Sequence, residues 1–199
     1  MEGIRVIEKP DSISYQKIKD TLVAAHKKNF EQGIVMHTTE LSPQELQDRV
    51  GSKGKTFIAV KDGKIVGTAS YRIREQHKWY VDGLVVDEIL VGVLPEYSGM
   101  HIYSRLYDSI EHAARKENYN LVIFSTAEKN VNKQQIGIKK GFHYVNFFVA
   151  EDNDHYSVIM AKWLKKCPFS RFKLLCKYCL KKMYVKIRFK PRRIKRFGI

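Results

Sequence analysis

The stretch that decides the fold reads Leu90-Val-Gly-Val-Leu-Pro-Glu-Tyr-Ser-Gly-Met-His-Ile102. It is typical of an apolar strand that stops at Pro95, a tight turn through Gly99, and a helix that starts near Met100. The first amides of a helix have no partner within it, and the helix dipole makes this end positive. The stretch therefore predicts a phosphate-binding turn between a strand and a helix.

Regular elements are predicted on both sides of this turn by hydrophobic periodicity and by turn and cap residues. Ser42-Pro-Gln-Glu45 has the residues of a capped helix start, and Asp62-Gly63 is a two-residue hairpin turn. The predicted strands cover residues 4–9, 55–61, 64–72, 82–94, 120–126, 142–150 and 155–163, with a polar turn at 151–154. The predicted helices cover residues 11–32, 42–51, 100–117 and 131–140. The first helix would place Ile18, Leu22, Val23 and His26 on one face. This order predicts a mixed α/β sheet flanked by helices.

Size and composition indicate a single folded domain with an appended tail. The chain has 199 residues, of which 44% are hydrophobic and 12% aromatic, which excludes a disordered protein. It contains no run of about 18 apolar residues, and its first residues lack the apolar region of a signal peptide. We therefore predict a domain over 1–164, a tail over 165–199 and a cytoplasmic protein.

A second motif follows the predicted strand 120–126, from Asn130 to Lys139-Lys-Gly-Phe142. Together with the first stretch and the order of elements, it resembles the acyl-CoA-binding core of the GNAT acetyltransferase superfamily, over roughly residues 3–163. The resemblance implies a mixed, mostly antiparallel central sheet and a cosubstrate that is acetyl-CoA or another acyl-CoA. It also implies transfer of the acyl group to an amine.

The resemblance implies a set of cofactor contacts. The backbone of Val91 and Val93 would pair with the pantetheine arm, and the following turn would hold the diphosphate, with later contacts from the second motif. The turn and later positions are Ser98, Gly99, Met100, His101, Ile102, Tyr103, Asn130 and Lys139.

This chain departs from the family pattern at several of these positions. Ser98 stands for a Gln or Arg, His101 for a Gly, and Tyr103 for a Gly or Ala. Gly137 replaces the Tyr that often protonates the leaving thiolate, and Lys133 replaces an Ala. The glycines of the family let a diphosphate approach the backbone, so side chains at 101 and 103 crowd the predicted site.

The reaction needs a base for the amine and an acid for the thiolate. Family members often place a Glu on the central strand, so Glu88 is the first candidate base and Asp87 the second, while Tyr144 is a candidate acid. A structural alternative is that one of the two carboxylates pairs with Arg72 or Arg74 across the sheet. Backbone amides near Val93 would polarise the thioester carbonyl.

The acceptor site of the family lies near the loop between the first two helices and the strand ends opposite the cofactor. Here that region includes His37, Thr38, Thr39, Glu40, Tyr71, Trp79 and Tyr80. Each of these residues is equally compatible with a solvated loop or a packed aromatic side chain. The sequence names neither the acceptor nor the length of the acyl chain.

The three cysteines are Cys167, Cys176 and Cys179. The last two have the spacing of a metal or redox pair, but no second pair follows, and both fit the apolar face of a helix. We therefore predict no metal site.

The tail carries the whole net charge of +15. Residues 162–196 contain 15 Lys and Arg with no Asp or Glu, whereas residues 1–161 contain 21 basic and 21 acidic residues. Phe172, Leu175, Cys176, Cys179 and Met183 share one face at helical spacing. Such a basic amphipathic helix favours an anionic membrane surface. Three alternatives remain: docking of the apolar face on the domain, binding to acyl carrier protein, and binding to nucleic acid, which the absence of a nucleic-acid motif disfavours.

Two hypotheses for function follow. In the first, the protein transfers an acyl group from a CoA or carrier-protein thioester to a small-molecule or envelope-precursor amine, as a peripheral protein on the inner membrane face. In the second, the acyltransferase-like domain has lost catalysis and binds acyl-CoA or acts as a membrane-tethered adaptor. The replaced Tyr and Gly residues favour the second hypothesis, but the first remains the leading interpretation.

Overall fold

The structure is a computed structural model that describes residues 3–31, 37–149 and 155–189. Within these ranges the strands are β1 (Arg5–Glu8), β2 (Lys55–Lys61), β3 (Lys64–Lys78), β4 (Val81–Val93), β5 (Leu121–Ala127), β6 (His143–Val149) and β7 (Tyr156–Trp163). The helices are α1 (Tyr15–Glu31), α2 (Pro43–Val50), α3 (Ile102–Lys116), α4 (Val131–Lys139) and α5 (Arg171–Arg188). The predicted turn at 151–154 and residues 190–199 of the tail lie outside the described residues.

The fold class agrees with the prediction, namely a mixed α/β fold with a seven-stranded, mostly antiparallel sheet, flanking helices and a C-terminal helix. The local signals are confirmed as well. Asp62 and Gly63 both have positive φ, at 49° and 75°, as a type I′ hairpin turn requires. Ser42 and Glu45 form a reciprocal capping box at the start of α2.

Three details of the prediction are wrong. Helix α1 begins at Tyr15, four residues after the predicted start at residue 11. Strand β3 runs six residues beyond its predicted end at residue 72. The prediction missed the segment 73–78 because this segment is polar and lacks alternating hydrophobicity. It is nevertheless a strand, since it pairs with β4 as far as Lys78 and Val81. On α1, Ile18 and Leu22 are buried as expected, whereas Val23 is 41% exposed. One residue corresponds to about 100° of helix rotation, which turns Val23 out of the core.

The chain divides into two compact units, Met1–Val122 and Ile123–Ile199. In the first unit, strands β1 to β4 lie side by side in chain order, each antiparallel to the next. Helices α1 and α2 cover one core of this unit, formed by Ile18, Leu22, Leu46, Val50, Ile58 and Leu90. Helix α3 buries Leu106, Ile110 and Ala113.

In the second unit, β6 pairs with β7 in antiparallel fashion, and α5 packs on β6. Its core contains Phe147, Val158, Tyr178 and Val185. Strand β5 begins in the first unit and continues into the second, and α4 follows it. The predicted boundary at residue 164 falls between β7 and α5. None of the helices in the described ranges is long and apolar enough to cross a membrane.

Candidate acyl-CoA site

A β-bulge interrupts β4 just before the turn. Ser70 pairs with Ile89 and Thr68 pairs with Gly92, so Leu90 and Val91 together face the single residue Ala69. Leu90 takes a positive φ of 51° although it is a buried, branched residue. Such a conformation costs about 1–3 kcal/mol and is found mainly where a functional site needs the backbone re-aimed.

The bulge sets the direction of the backbone groups that follow. The amide of Leu94 donates to the Val66 carbonyl on β3 at 3.0 Å. Because hydrogen-bonding direction alternates along a strand, the polar groups of Val93 point away from β3. His26 Nε2 on α1 lies 2.9 Å from the carbonyl oxygen of Val91, so a protonated Nε2 donates to it. The predicted contact between Val91 and pantetheine is therefore left to the backbone amide of Val91. The hydrogen bond of His26 to the Val91 carbonyl was not predicted from the sequence.

The turn between β4 and α3 carries left-handed backbone at two positions. Gly99 has φ 80°, and His101, the residue that precedes α3, has φ 56°. His101 thus adopts the conformation that a Gly would allow more easily, and its side chain is exposed. No side chain caps α3, and the first intrahelical bond runs from the Arg105 amide to the His101 carbonyl at 3.1 Å. The preceding amides of the first turn therefore lack intrahelical acceptors.

Tyr103, at the second position of α3, points its phenol to a carboxylate of β4. Its hydroxyl donates to both oxygens of Glu88 at 3.2 Å, and Glu88 is only 4% exposed. Burial, and next the charge of Glu88, raise the pKa of Tyr103 well above its usual value. The phenol therefore stays protonated and acts as a hydrogen-bond donor to the candidate base.

Asp87 lies on the other face of β4, because successive side chains of a strand alternate. Its Oδ2 accepts from Arg72 Nε at 3.0 Å and lies 3.0 Å from Arg72 Nη2 and from Arg74 Nε. The structural alternative for one of the two carboxylates is thereby confirmed for Asp87. Only one of the two candidate bases, Glu88, shares a hydrogen bond with α3.

The second motif serves structural roles in the second unit. The Asn130 side chain caps α4 by accepting from the Lys133 amide at 3.2 Å, and Lys139 is exposed in the last turn of that helix. At Gly137, a Cβ atom would lie 2.8 Å from Cζ of Phe124, so the Tyr found here in the family has no room.

Tyr144 is fixed by two neighbours of the second unit. Its hydroxyl donates to Gln134 Oε1 at 3.0 Å, and its ring stacks on Tyr178 at 4.7 Å. Burial raises the pKa of Tyr144. Gln134, which sequence reasoning missed, is buried and donates to the carbonyl oxygens of Ala127 and Glu128. Its neighbours Lys133 and Gln135 are polar as well, so no local sequence pattern marked Gln134 as buried.

Comparison with known proteins agrees with this geometry. The sequence matches the profile of the Acetyltransferase (GNAT) family over residues 20–144, which is more than half of the chain. The chain belongs to the GNAT family. Membership implies transfer of an acyl group from an acyl-CoA to an amine. No match to a curated protein sequence was found.

Solved GNAT-like structures share the fold at low sequence identity. A GNAT acetyltransferase from Staphylococcus aureus Mu50 is 18% identical, with a TM-score of 0.63 over 81% of this chain and 99% of that one. The protein yncA of Salmonella typhimurium, solved with its cofactor acetyl-CoA, is 13% identical, with a TM-score of 0.61 over 84% and 98%. The ribosomal-protein-S18-alanine N-acetyltransferase of Escherichia coli is 13% identical, with a TM-score of 0.59 over 82% and 95%.

The residues predicted for the acceptor side of this GNAT protein have different environments. Tyr71 is fully buried and stacks on Phe57, so it belongs to the core. Tyr80 is buried, and Trp79 packs edge-on against it at 5.5 Å while remaining 36% exposed. His37, Thr38 and Thr39 form a short 3₁₀ turn, which Glu40 follows.

The cysteines show no arrangement of ligands. Cys167 Sγ donates to the Phe169 carbonyl, Cys176 is half-buried and Cys179 is exposed on α5. In the described part of the chain, no three His, Cys, Asp or Glu residues are grouped as a metal site would require.

Proposed function

We propose that the protein is an active N-acyltransferase that moves an acetyl or longer acyl group from acyl-CoA to an amine. The observation that carries the proposal is the uncapped start of α3, reached through left-handed Gly99 and His101, directly after the bulge in β4. The amides of Gly99 and of residues 101–104 would hold the diphosphate, whereas the Met100 amide donates to the Tyr97 carbonyl at 3.3 Å. The amides of Val91 and Val93 would hold the thioester arm.

The replaced family residues are compatible with binding. His101 supplies the left-handed conformation of the missing Gly and leaves its side chain exposed. The Tyr103 side chain is engaged by Glu88. Ser98 and Met100 contribute backbone to the same turn, and Ile102 is buried beneath it. Contacts from Asn130 and Lys139 stay predictions.

Glu88 is proposed as the base. In the reaction the amine loses a proton to the Glu88 carboxylate, its nitrogen forms a bond to the thioester carbon, and the carbon–sulfur bond breaks. The thiolate of CoA then takes up one proton. Because Gly137 cannot supply an acid, this proton comes from water or from Tyr144, which remains the candidate acid.

Release of free CoA from acetyl-CoA in the presence of amines tests this proposal. Glu88→Gln should lower kcat by about 10²–10⁴-fold with little change in acetyl-CoA affinity, because a positioned base contributes about that factor. Glu75→Gln, on an exposed carboxylate of β3, is the control. Equal turnover by Glu88→Gln and the wild type would remove Glu88 from the mechanism.

The alternative function is an inactive acyl-CoA-binding adaptor. Gly137 favours this alternative, because the Tyr that serves as the acid in the family is absent here and its side chain would collide with Phe124. Tight acetyl-CoA binding by the wild-type protein with no release of CoA to any amine would support this alternative and exclude the enzyme.

We further propose that α5 binds an anionic membrane surface. Leu174, Tyr178 and Val185 are buried on the side of α5 that packs in the second unit, whereas the face predicted from the sequence is exposed. Phe172 is 77% exposed and Met183 58% exposed on that face. Lysines surround it, and a basic apolar face of this kind inserts at the boundary of headgroups and acyl chains. On this view the enzyme works at the inner membrane face.

Flotation with phosphatidylcholine vesicles, with and without phosphatidylglycerol, tests the membrane proposal. The full chain should float only with the anionic lipid, and less at high salt because salt screens the attraction. Exchange of Phe172 and Met183 to Ser should abolish flotation, whereas Val23→Ser, at an exposed apolar position of α1, should not. If the charged vesicles leave the wild type unbound while RNA or acyl carrier protein is retained, α5 has a different partner.

A further inference from the structure

Three arginines and one carboxylate form a cluster, here called the arginine cluster, on the face of the first unit that α2 covers. It consists of Arg49 in the last turn of α2, Arg72 and Arg74 on β3, and Asp87 on β4. Arg72 lies directly opposite Asp87 in the sheet register, and Arg74 projects to the same face two residues later.

The cluster holds more positive than negative charge. Three guanidinium groups share one carboxylate, and both Arg72 and Arg74 contact the same atom of it, Oδ2. Arg49 makes no hydrogen bond or ion pair with any residue that the structure describes. Burial lowers the pKa of Arg49, as does the positive charge of Arg72, while Asp87 acts in the opposite direction. Two formal positive charges are therefore left uncompensated.

The arginines are open to solvent on one side and held on the other. The side chains of Arg72 and Arg74 are 29% and 40% exposed, so a small molecule reaches them. The amide of Gln76, with its oxygen turned toward Arg74, accepts from Nε and Nη2 at 2.8 and 2.6 Å. These contacts fix one guanidinium in place, as a binding site requires.

A half-buried cation beside a like charge lowers stability unless an anion compensates it. For Arg49 the charge of Asp87 acts in that direction, but this carboxylate already pairs with Arg72 and Arg74. The planar guanidinium binds carboxylates and phosphates through paired hydrogen bonds, which makes such a group the natural occupant.

We infer that the arginine cluster binds an anionic group, a carboxylate or a phosphate, on the acyl acceptor. The inference rests on the proposed function. Asp87 and Val91 are four residues apart, about 13 Å along the strand. An arginine side chain and a small amine that carries an acidic group span this interval together, and Glu88, on the opposite face of β4, takes the proton of the amine through a water molecule. Tyr80, predicted for the acceptor side, lies near the cluster: burial raises its pKa, Arg74 lowers it and Asp87 raises it.

Matched pairs of amines test the inference through CoA release. Phosphoethanolamine is compared with ethanolamine, and 4-aminobutanoate with 4-aminobutanamide. The wild type should favour the anionic member of at least one pair by about 10–100-fold in kcat/KM, as charged hydrogen bonds allow. The preferred pair distinguishes phosphate from carboxylate. Equal use of both members of each pair would overturn the inference and leave acyl transfer standing.

Variants of Arg49 give the second arm. Arg49→Ala should raise KM for the anionic amine about tenfold or more, leaving kcat and the neutral amine unchanged, and Arg49→Lys should recover part of the loss. Arg5→Ala, on the exposed edge strand β1, is the control. Arg49→Met should melt at the same or a higher temperature than the wild type if Arg49 is kept for binding. An equal loss with both amines, or a lower melting temperature, would make Arg49 structural.

Direct binding separates failure of this inference from failure of acyl transfer. Calorimetric titration of phosphoethanolamine and 4-aminobutanoate into the full chain needs no turnover. Binding that Arg49→Ala weakens tenfold, in a protein that acylates no amine, would support the cluster and reject the enzyme. Absence of binding by the wild type to both probes would reject the cluster.

Discussion

At the scale of single residues, the pairing of Tyr103 with Glu88 is the most consequential departure from the family. The phenol occupies a position where the family has Gly or Ala, and it donates to a buried carboxylate. A charged hydrogen bond of this kind contributes about 1.5–3 kcal/mol. We therefore propose that Tyr103 is a positioning residue that acts through Glu88, the proposed base.

Replacement of Tyr103 by Phe tests this role. We expect kcat to fall about tenfold, because Glu88 loses a donor that orients it, while the dissociation constant of acetyl-CoA stays the same. Steady-state kinetics combined with calorimetry separates the two effects. Tyr97→Phe, on the neighbouring turn, is the matched control, and a changed acetyl-CoA affinity with unchanged kcat would contradict the role.

Gly137 is a second departure with a physical cause. Because a Cβ atom there would lie 2.8 Å from the Phe124 ring, Gly137→Ala should lower the free energy of unfolding by about 1–3 kcal/mol through overpacking. Chemical denaturation measures the change, with Gln135→Ala at an exposed site of α4 as control. A fully stable Gly137→Ala variant would show that the family Tyr was lost for another reason.

Several features of single residues in the candidate site could not be predicted from the sequence. The opposite faces of Asp87 and Glu88 follow from strand alternation, but the sequence alone did not say which face belongs to which helix. The positive φ of Leu90 had no sequence signal, since a buried Leu is typical of any central strand. His26 was expected to face inward, whereas its bond to Val91 depends on the tertiary position of α1.

At the scale of elements, strong local signals predicted well and polar strands did not. The capped α2, the Asp62-Gly63 hairpin and the Pro95 stop are confirmed near the expected residues. The extension of β3 was missed because only pairing with β4 makes its polar residues a strand. Helix α5 was predicted, but the sequence did not distinguish its buried apolar face from its exposed one. Hydrophobic periodicity shows that a face is apolar and does not show which face packs against the rest of the fold.

The packing of α5 includes two ion pairs with the carboxylate of Glu128. Lys182 and Lys186 lie 2.7 and 2.9 Å from Oε1 of Glu128. Burial alone would raise the pKa of Glu128, but the hydrogen bonds from the two lysines outweigh it and lower the pKa below the usual 4.5. Its unfolded form thus binds protons more readily than its folded form. The ion pairs of Glu128 therefore contribute to stability above pH 4.5, and this contribution disappears as the pH falls through the lowered pKa of Glu128.

A pair of melting curves checks this dependence. Glu128→Gln should melt at a lower temperature than the wild type at pH 7, and the difference should vanish as the pH falls through the lowered pKa of Glu128. The exposed Glu75→Gln should match the wild type across the range. A difference that persists unchanged at the acidic end would contradict the assigned ion pairs.

At the scale of the whole molecule, charge and chemistry are distributed unequally. Residues 1–161 are formally neutral and contain the candidate acyl-CoA turn, whereas the C-terminal residues carry the excess of +15. The family and its sheet were predictable from element order and two motifs. The proposed acceptor subsite was not, because the arginine cluster unites residues from α2, β3 and β4 that are far apart in sequence.

The central claim is that the backbone amides at the start of α3, from Gly99 onward, hold the diphosphate of an acyl-CoA. Titration of the ¹⁵N-labelled full chain with acetyl-CoA, followed by amide NMR shifts, tests it most directly, with acetyl-pantetheine as the ligand that lacks the diphosphate. We predict that amides 99–104 shift with acetyl-CoA alone and that those of Val91 and Val93 shift with both ligands. Saturation by acetyl-CoA with amides 99–104 unmoved, or no binding at all, would contradict the account.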